Sequence, residues 1–335
     1  MMYFRPLAMT DDARPAGALR LAGGWCWFTH AEVRERGRAG HVVPATEIPD
    51  DALARLTAPR PALAGLGLDR PRIMGILNVT PDSFSDGGRF LDPQAALAQG
   101  REMAGAGAAI IDIGGESTRP GAAEVAVADE VARTAPVIAA LADLGVPLSI
   151  DTRKALVAEA ALAAGAGIVN DVAALAFDPA LAGVVARSGV PVVLMHARGT
   201  PATMQDDPVY EDVLLDVYDF LSRRIAFAEQ AGIARDRIVV DPGIGFGKTV
   251  AHNLALLRGL SLFHGLGCPI LLGASRKHFI GTVGGEAVAE RRVAGSLAVA
   301  LTGVAQGAQI LRVHDVNETR QALALWQAIT LGDGA

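Results

Sequence analysis

One stretch of the chain, PLSIDTRKALVAEAALAAGAGIVND at residues 147–171, shows the pattern that is repeated through most of the sequence. An apolar run at 147–150 is followed by an Ala-rich amphipathic segment at 154–164 and a second apolar run at 167–169. Runs that are apolar throughout are typical of parallel strands that helices cover on both faces. The stretch therefore predicts a strand, a helix and a second strand of an α/β fold.

The same alternation extends outward from this stretch, starting at residue 73. Eight runs are predicted strands: 73–77, 109–113, 147–150, 167–169, 191–195, 237–240, 269–272 and 309–313. A helix is predicted after each of them: 93–106, 124–143, 154–164, 178–187, 209–232, 251–260, 286–306 and 317–330. Eight such units in about 250 residues predict a closed (β/α)8 TIM barrel. A doubly wound open sheet is the alternative, because one miscounted short strand would change the fold class.

Residues 1–71 do not follow this alternation. They contain Trp25, Trp27 and Phe28 in one cluster and two Pro-containing segments, but no motif of a separate functional domain. We therefore expect an N-terminal extension at 1–71, with room for a small hairpin, packed on a barrel formed by residues 72–335.

Composition excludes several classes of protein. With 51% hydrophobic residues, 20% charged residues and a net charge of −6, the chain is neither disordered nor suited to generic binding of nucleic acid or acidic membranes. Cys26 and Cys268 form no metal or disulfide spacing, and the first 20 residues lack the apolar region of a signal peptide. We expect a cytoplasmic protein, in which the uncharged run at 293–311 is a buried helix and strand and not a membrane span.

Polar residues follow every predicted strand. They are Asn78, Glu116 to Arg119, Asp151, Asn170 and Asp171, His196, Asp241, Ser275 to Lys277, and Arg312 with His314. In a TIM barrel the carboxyl ends of the strands form one rim, where active sites are built. The pattern thus predicts an active site, although Asp151, Thr152 and Asp171 would serve equally well as helix N-caps.

Three segments bear on the kind of ligand that the site binds. The connection after Asn78 is longer than the usual 2–6 residues, which favours a functional loop, and Asn78 offers an oxygen to a metal. The segment VVDPGIGFGKT at 239–249 matches neither the Walker A nor the dinucleotide-binding pattern. Arg312 and His314 are two positions apart and point the same way from the last strand, where a buried Arg requires an anion.

The strings MGILNVTPDSFSDGG, DIGGESTRPGA, SIDT, VND, LMH, DPGIGFGK, GASRK and RVHDV, in this order, resemble the dihydropteroate synthase family of the folate pathway. The resemblance covers about residues 72–330 and says nothing of 1–71. It implies a pterin-binding TIM barrel, usually a homodimer, that needs Mg2+. The implied reaction joins 6-hydroxymethyl-7,8-dihydropterin diphosphate to 4-aminobenzoate and releases diphosphate.

The resemblance also implies roles for single residues. The pterin ligands would be Asp151, Asn170, Met195, Asp241, Lys277 and Arg312, with Asp241 accepting from the 2-amino group and a ring N–H. Asn78, Arg312 and His314 would hold the diphosphate, and Asn78 would also ligate Mg2+. Thr118, Arg119, Pro120, Phe246, Lys277 and His278 would shape the aminobenzoate site, with His278 standing where many members have serine. Lys277, Arg312 and Asp151 are the expected catalytic residues.

Two other functions compete with this one. A methyltetrahydrofolate–corrinoid methyltransferase would also need a pterin pocket, but it has no use for a diphosphate site. A catalytically inactive pterin-binding barrel would gain nothing from a site for a leaving group. The sequence contains no convincing Ser/His/Asp or Cys/His set, so catalysis would depend on positioning and electrostatics.

Overall fold

The structure is a computed structural model that describes residues 1–80, 93–117, 122–199 and 208–331. Five short strands come first: β1 (Tyr3–Pro6), β2 (Leu19–Arg20), β3 (Trp27–Phe28), β4 (His30–Arg34) and β5 (His41–Pro44). Strands β1, β4 and β5 form one antiparallel sheet, and β2 pairs with β3. Helix α1 (Asp50–Thr57) follows.

These first residues pack on the outside of the rest of the chain through polar anchors. The Tyr3 hydroxyl lies 3.0 Å from both carboxylate oxygens of Asp219. The indole N–H of Trp25 donates to the carbonyl of Val304 at 2.8 Å. The buried Arg60 donates to the carbonyl of His264 at 3.0 Å.

Eight further strands form a single parallel sheet. They are β6 (Arg72–Asn78), β7 (Ile110–Gly114), β8 (Leu148–Asp151), β9 (Ile168–Asp171), β10 (Val192–Met195), β11 (Ile238–Asp241), β12 (Leu271–Leu272) and β13 (Ile310–Val313). The sheet runs in the order β11-β10-β9-β8-β7-β6-β13-β12. A parallel bridge between Val240 and Ile270 joins the two end strands. The predicted closed barrel is confirmed, and the alternative of an open sheet is wrong.

Helices lie between the strands, at the positions that the amphipathic segments predict. They are α2 (Pro93–Gly105), α3 (Val127–Leu141), α4 (Ala155–Ala163), α5 (Leu181–Ser188), α6 (Val213–Gln230), α7 (Val250–Arg258), α8 (His278–Gly284), α9 (Val293–Val304) and α10 (Val316–Leu331). The short helices of the 3₁₀ type are Ala45–Glu47, Ala142–Leu144, Arg235–Arg237, Leu260–Leu266 and Ala289–Arg291. Helix α8 was not predicted, because its seven residues are too short for a periodic signal. Among the described helices, α9 included, none is long and apolar enough to span a membrane.

The inside of the barrel changes from apolar to polar along the strands. Near the amino ends, Met74, Ile110, Ile168, Val193, Val239, Leu271 and Ile310 form one buried cluster with Leu63 and Leu68, which close that end. Because alternate residues of a strand face the same way, the next inward positions include Asp112, Asn170, Asp241 and Arg312. The intervening residues, such as Ile111, Val169 and Leu311, pack outward against the helices. The fold therefore places polar side chains at the carboxyl end of the barrel.

Candidate active site

Arg312 lies between two carboxylates inside the barrel. Its Nε donates to Oδ2 of Asp112 at 2.6 Å, and its Nη2 donates to Oδ2 of Asp151 at 2.7 Å. The Asp112 side chain is fully buried, whereas that of Arg312 is 20% exposed. Burial raises the pKa of Asp151, the Arg312 charge opposes that rise, and the two carboxylates keep the pKa of Arg312 above its ordinary value despite its burial. The guanidinium N–H groups that take no part in these two bonds are suited to an anionic ligand.

Asn170 is held by the same carboxylate. Its Nδ2 donates to Oδ2 of Asp112 at 2.9 Å, so a single carboxylate oxygen accepts from both Asn170 and Arg312. Within the described part of the chain, Oδ1 of Asp112 and the hydroxyl of Ser149 are buried without a hydrogen-bond partner. Our sequence reasoning missed Asp112. An acidic residue inside the otherwise apolar run of β7 was the signal that could have revealed it.

Asp241 ends β11, and two glycines lie close to it. Its Oδ1 accepts from the backbone N–H of Gly243 at 2.7 Å. A Cβ at Gly273 would lie 3.4 Å from Oδ2 of Asp241 and 3.9 Å from Cδ of Arg312. A Cβ at Gly243 would lie 1.8 Å from the carbonyl oxygen of His196 and 3.2 Å from Cγ of Met195. Gly273 thus puts no side chain beside Asp241 and Arg312, and Gly243 lets the loop after Asp241 approach His196 and Met195.

Burial raises the pKa of Asp241 to about 6, although Gly243 N–H and the Lys277 charge oppose this rise. Above pH 6 the ionised carboxylate therefore lowers the free energy of unfolding. The loss is about 1.4 kcal/mol for each unit by which the pKa in the folded protein exceeds that in the unfolded chain. We expect Asp241→Asn to raise the free energy of unfolding at pH 8 by about 2–3 kcal/mol while it weakens ligand binding. The gain should shrink as the pH falls through about 6 and vanish near pH 4, which denaturant unfolding at several pH values would measure. A less stable variant at pH 8 would mean that ion pairing outweighs burial.

Asn78 and Asp151 face the same space above another glycine. A Cβ at Gly114 would lie 3.7 Å from Oδ1 of Asn78 and 3.7 Å from Oδ2 of Asp151. A single amide oxygen at a strand end fits Mg2+ that is bound mainly by substrate phosphates and water, which is how this ion usually binds. The described residues contain no group of three or more His, Cys, Asp or Glu that could hold a metal ion.

The loop after Asp241 is held by a buried amine. Nζ of Lys248 lies 2.8 Å from Nδ1 of His196 and donates to the carbonyl of Phe246 at 2.9 Å. Burial lowers the pKa of His196 to about 2, so the ring is neutral and its nitrogen accepts from the amine. Lys277 comes from the next loop, and its Nζ lies 4.0 Å from the centre of the Phe246 ring. The predicted neighbours Phe246 and Lys277 are therefore in contact.

His314 and His278 lie in different surroundings. Nδ1 of His314 is 3.1 Å from the hydroxyl of Ser275, which also accepts from the His314 backbone N–H at 3.2 Å. Burial and the charge of Arg276 lower the pKa of His314 to about 3, so the ring is neutral at physiological pH. His278 begins α8, is exposed, and has Nδ1 3.3 Å from the Thr282 hydroxyl. His314 is thus fixed in place, whereas His278 is open to solvent.

The structure decides between the two roles that the sequence left open for the aspartates. Asp171 accepts from the backbone N–H groups of Ala173 and Leu175, at 2.8 and 2.5 Å, and supports a turn in which Ala174 and Leu175 have positive φ. The predicted helix N-cap role is nevertheless wrong for Asp171, because the next helix, α5, begins only at Leu181 and has Ala180 as its N-cap. Asp151 is paired with Arg312 instead.

Most of the predicted ligands converge on one place. Hydrogen bonds join Asp151, Asn170 and Arg312 through Asp112, and Asn78, Met195 and Asp241 lie beside Gly114, Gly243 and Gly273 at the same end of the barrel. The pairs Phe246–Lys277 and His314–Ser275 belong to adjoining loops. Thr118, Arg119 and Pro120 lie outside the described residues, as does the part of the first loop from 81 to 92.

A closed α/β barrel with polar side chains gathered at the carboxyl ends of its strands is the architecture of the TIM-barrel enzymes. Residues 74–314 match the family model described as "Pterin binding enzyme". Dihydropteroate synthase of Neisseria meningitidis serogroup B is 50% identical over 269 residues, which are 79% of this chain and 94% of that protein. The chain therefore belongs to the pterin-binding enzymes and, among them, to the dihydropteroate synthase family.

Solved structures agree with this assignment. The chain has a TM-score of 0.75 and 52% identity to a dihydropteroate synthase of Xanthomonas albilineans with 4-aminobenzoic acid, and the match covers 79% of this chain and 96% of that one. A Yersinia pestis dihydropteroate synthase with a sulfonamide drug has a TM-score of 0.75 and 47% identity, at the same coverage.

Proposed function

We propose that the barrel mouth condenses 6-hydroxymethyl-7,8-dihydropterin diphosphate with 4-aminobenzoate to give 7,8-dihydropteroate and diphosphate. The observation that carries this proposal is the position of Arg312, which is held by buried Asp112 and Asp151 and keeps N–H groups outside those bonds. A guanidinium in this place can bind an anion beside a ring that lies in the space next to Gly273.

The pterin would be bound by side chains whose roles as hydrogen-bond donor or acceptor are set by their surroundings. The buried carboxylate of Asp241 accepts from the 2-amino group and a ring N–H, and Lys277 donates to the oxo group. Asp151, Asn170 and Met195 complete the pocket, and Arg312 lies along the ring. Acceptors and donors at such positions recognise a heterocycle because a buried polar group without a partner costs about 1–3 kcal/mol.

The diphosphate would be held by Asn78, Arg312 and the neutral His314. Its bound Mg2+, for which the Asn78 amide supplies a ligand, would neutralise charge on the leaving group. The residues of the chain orient the diphosphate so that the bond between the methylene carbon and oxygen can break. The electron-rich dihydropterin supports the positive charge that develops on that carbon.

The aminobenzoate would lie beside Phe246, Lys277 and His278, with Thr118, Arg119 and Pro120 contributing from outside the described residues. Its amine attacks the methylene carbon, a C–N bond forms as the C–O bond breaks, and the amine then loses a proton. The chain supplies no nucleophile. Arg312, Lys277 and Asp151 act by positioning and by electrostatic stabilisation.

Diphosphate release tests this function. We expect release only when the pterin diphosphate, 4-aminobenzoate and Mg2+ are all present, and its loss on chelation should be reversed by added Mg2+. Failure of the folded chain to turn over would favour an inactive pterin-binding barrel. Binding of a methylated folate without affinity for the pterin diphosphate would favour a corrinoid methyltransferase.

We also propose a homodimer in the cytoplasm. Helix α9 carries no charged residue, and on α10 the side chains of Leu325 and Ile329 are 63% and 76% exposed. A second copy of the chain would cover this apolar face. Light scattering after size exclusion should give twice the chain mass, and Leu325→Glu with Ile329→Glu should give a folded monomer. The buried free thiols of Cys26 and Cys268 suit a reducing compartment.

A further inference from the structure

We infer that Asp112 is a positioning residue that sets the hydrogen-bonding polarity of the pterin pocket through the side-chain amide of Asn170. This inference rests on the proposed function, since Asn170 is taken as a pterin ligand. It adds a residue that makes no contact with the ligand, because Asp112 is fully buried beneath Arg312 and Asn170.

The chemistry of a carboxylate determines which way the amide of Asn170 points. A carboxylate only accepts hydrogen bonds, so the amide must turn its NH2 group toward Asp112, as the 2.9 Å contact shows. The carbonyl oxygen, Oδ1, then lies on the side of the amide that faces away from Asp112. Asn170 therefore presents an acceptor to the pocket, and that acceptor fits a ring edge that carries an N–H.

The same oxygen of Asp112 connects the ring site to the anion site. Oδ2 accepts from Asn170 and from Nε of Arg312, so one buried atom orients both side chains. Neighbouring polar groups do not duplicate this role: Ser149 pairs in register with Asp112, but its buried hydroxyl has no hydrogen-bond partner among the described residues. Ser149 is therefore a matched control, as it is buried in the same layer without a bond to either ligand-binding side chain.

Removing and then restoring the acceptor at position 112 tests the inference. In Asp112→Leu the shared acceptor is lost, so nothing holds the NH2 group of Asn170 away from the pocket. We expect the Kd for 6-hydroxymethyl-7,8-dihydropterin to rise about tenfold or more, while KM for 4-aminobenzoate stays near that of the wild type. In Asn170→Asp, two carboxylates face each other, so binding is also expected to weaken.

The conservative variant Asp112→Asn restores the acceptor. Its amide oxygen can take the place of Oδ2 and accept from both Asn170 and Arg312, while its NH2 group takes the place of Oδ1, which has no partner among the described residues. We expect Kd to return to within about threefold of the wild type, and Ser149→Ala to stay within about twofold. Thermal unfolding of each variant separates a binding effect from a loss of fold.

Two results would overturn the inference: an unchanged Kd in a folded Asp112→Leu, or a folded Asp112→Asn that binds no better than Asp112→Leu. If Asp112→Leu does not fold, Asn170→Asp still decides, because a Kd equal to that of the wild type would show that the contact between Asp112 and the Asn170 amide does not affect binding. A wild-type chain that binds no pterin would instead contradict the proposed function itself.

Discussion

Arg312→Ala is expected to reduce kcat/KM by about a thousandfold or more and to lower the free energy of unfolding by about 3–5 kcal/mol. The catalytic loss follows from the loss of the guanidinium that would hold the diphosphate. The loss of stability follows because Asp112 and Asp151, both buried, would remain without their cation. Steady-state kinetics and denaturant unfolding of the same preparation would measure the two effects.

Two comparisons separate these effects. Binding of the pterin diphosphate should weaken more than binding of the bare pterin, by at least about 2 kcal/mol, since only the pterin diphosphate carries the anion.

The loss of unfolding free energy in Arg312→Ala should become smaller at low pH, because burial raises the pKa of Asp151 and protonation removes its charge. Arg312→Lys keeps one charge but not the two-carboxylate geometry, and it should be intermediate in both measurements. Equal losses for both ligands would contradict the assigned role.

The barrel could be predicted from sequence because its signal is repeated eight times. Each strand is a short apolar run, and the observed strands, such as β6 and β10, begin and end within about two residues of the predicted ones. The number of units distinguishes the barrel from an open sheet, so an error of one or two residues at the end of a strand leaves the predicted fold unchanged. Helix α8 and the 3₁₀ helix Leu260–Leu266 are too short to give such a signal.

The site could be predicted only in part, because sequence order does not show on which side of a strand a residue lies. Asp151 and Asp171 each end a strand, yet Asp151 pairs in register with Asn170, so that Asp171 is one position further and faces outward. A shift of one residue moves a side chain from the interior of the barrel to the helix layer. Leu63 and Leu68 close the barrel from a segment that contains no strand, and this contact depends on the closed sheet.

Lys154→Met is the other substitution with a large expected effect, and it acts on stability. Nζ of Lys154 donates to Glu116 at 2.8 Å, to Glu130 at 2.7 Å and to the carbonyl of Val125 at 2.6 Å. Glu130 is fully buried, and its other oxygen accepts from the Thr152 hydroxyl at 2.7 Å. Removal of the amine leaves Glu130 as a buried charge without a cation, so we expect the free energy of unfolding to fall by about 3–5 kcal/mol near neutral pH.

The double variant Lys154→Met/Glu130→Gln identifies the cause. If the loss comes from the uncompensated charge, neutralising Glu130 should restore a large part of the stability, whereas a loss of packing would not be restored. Arg187 is the control, because its pair with Glu159 is exposed, with side chains 70% and 47% accessible. Arg187→Met should therefore change the free energy of unfolding by about 0.5 kcal/mol or less. A buried carboxylate that loses its cation should cost stability. If Lys154→Met has the same free energy of unfolding as Arg187→Met, the amine of Lys154 does not stabilise Glu130.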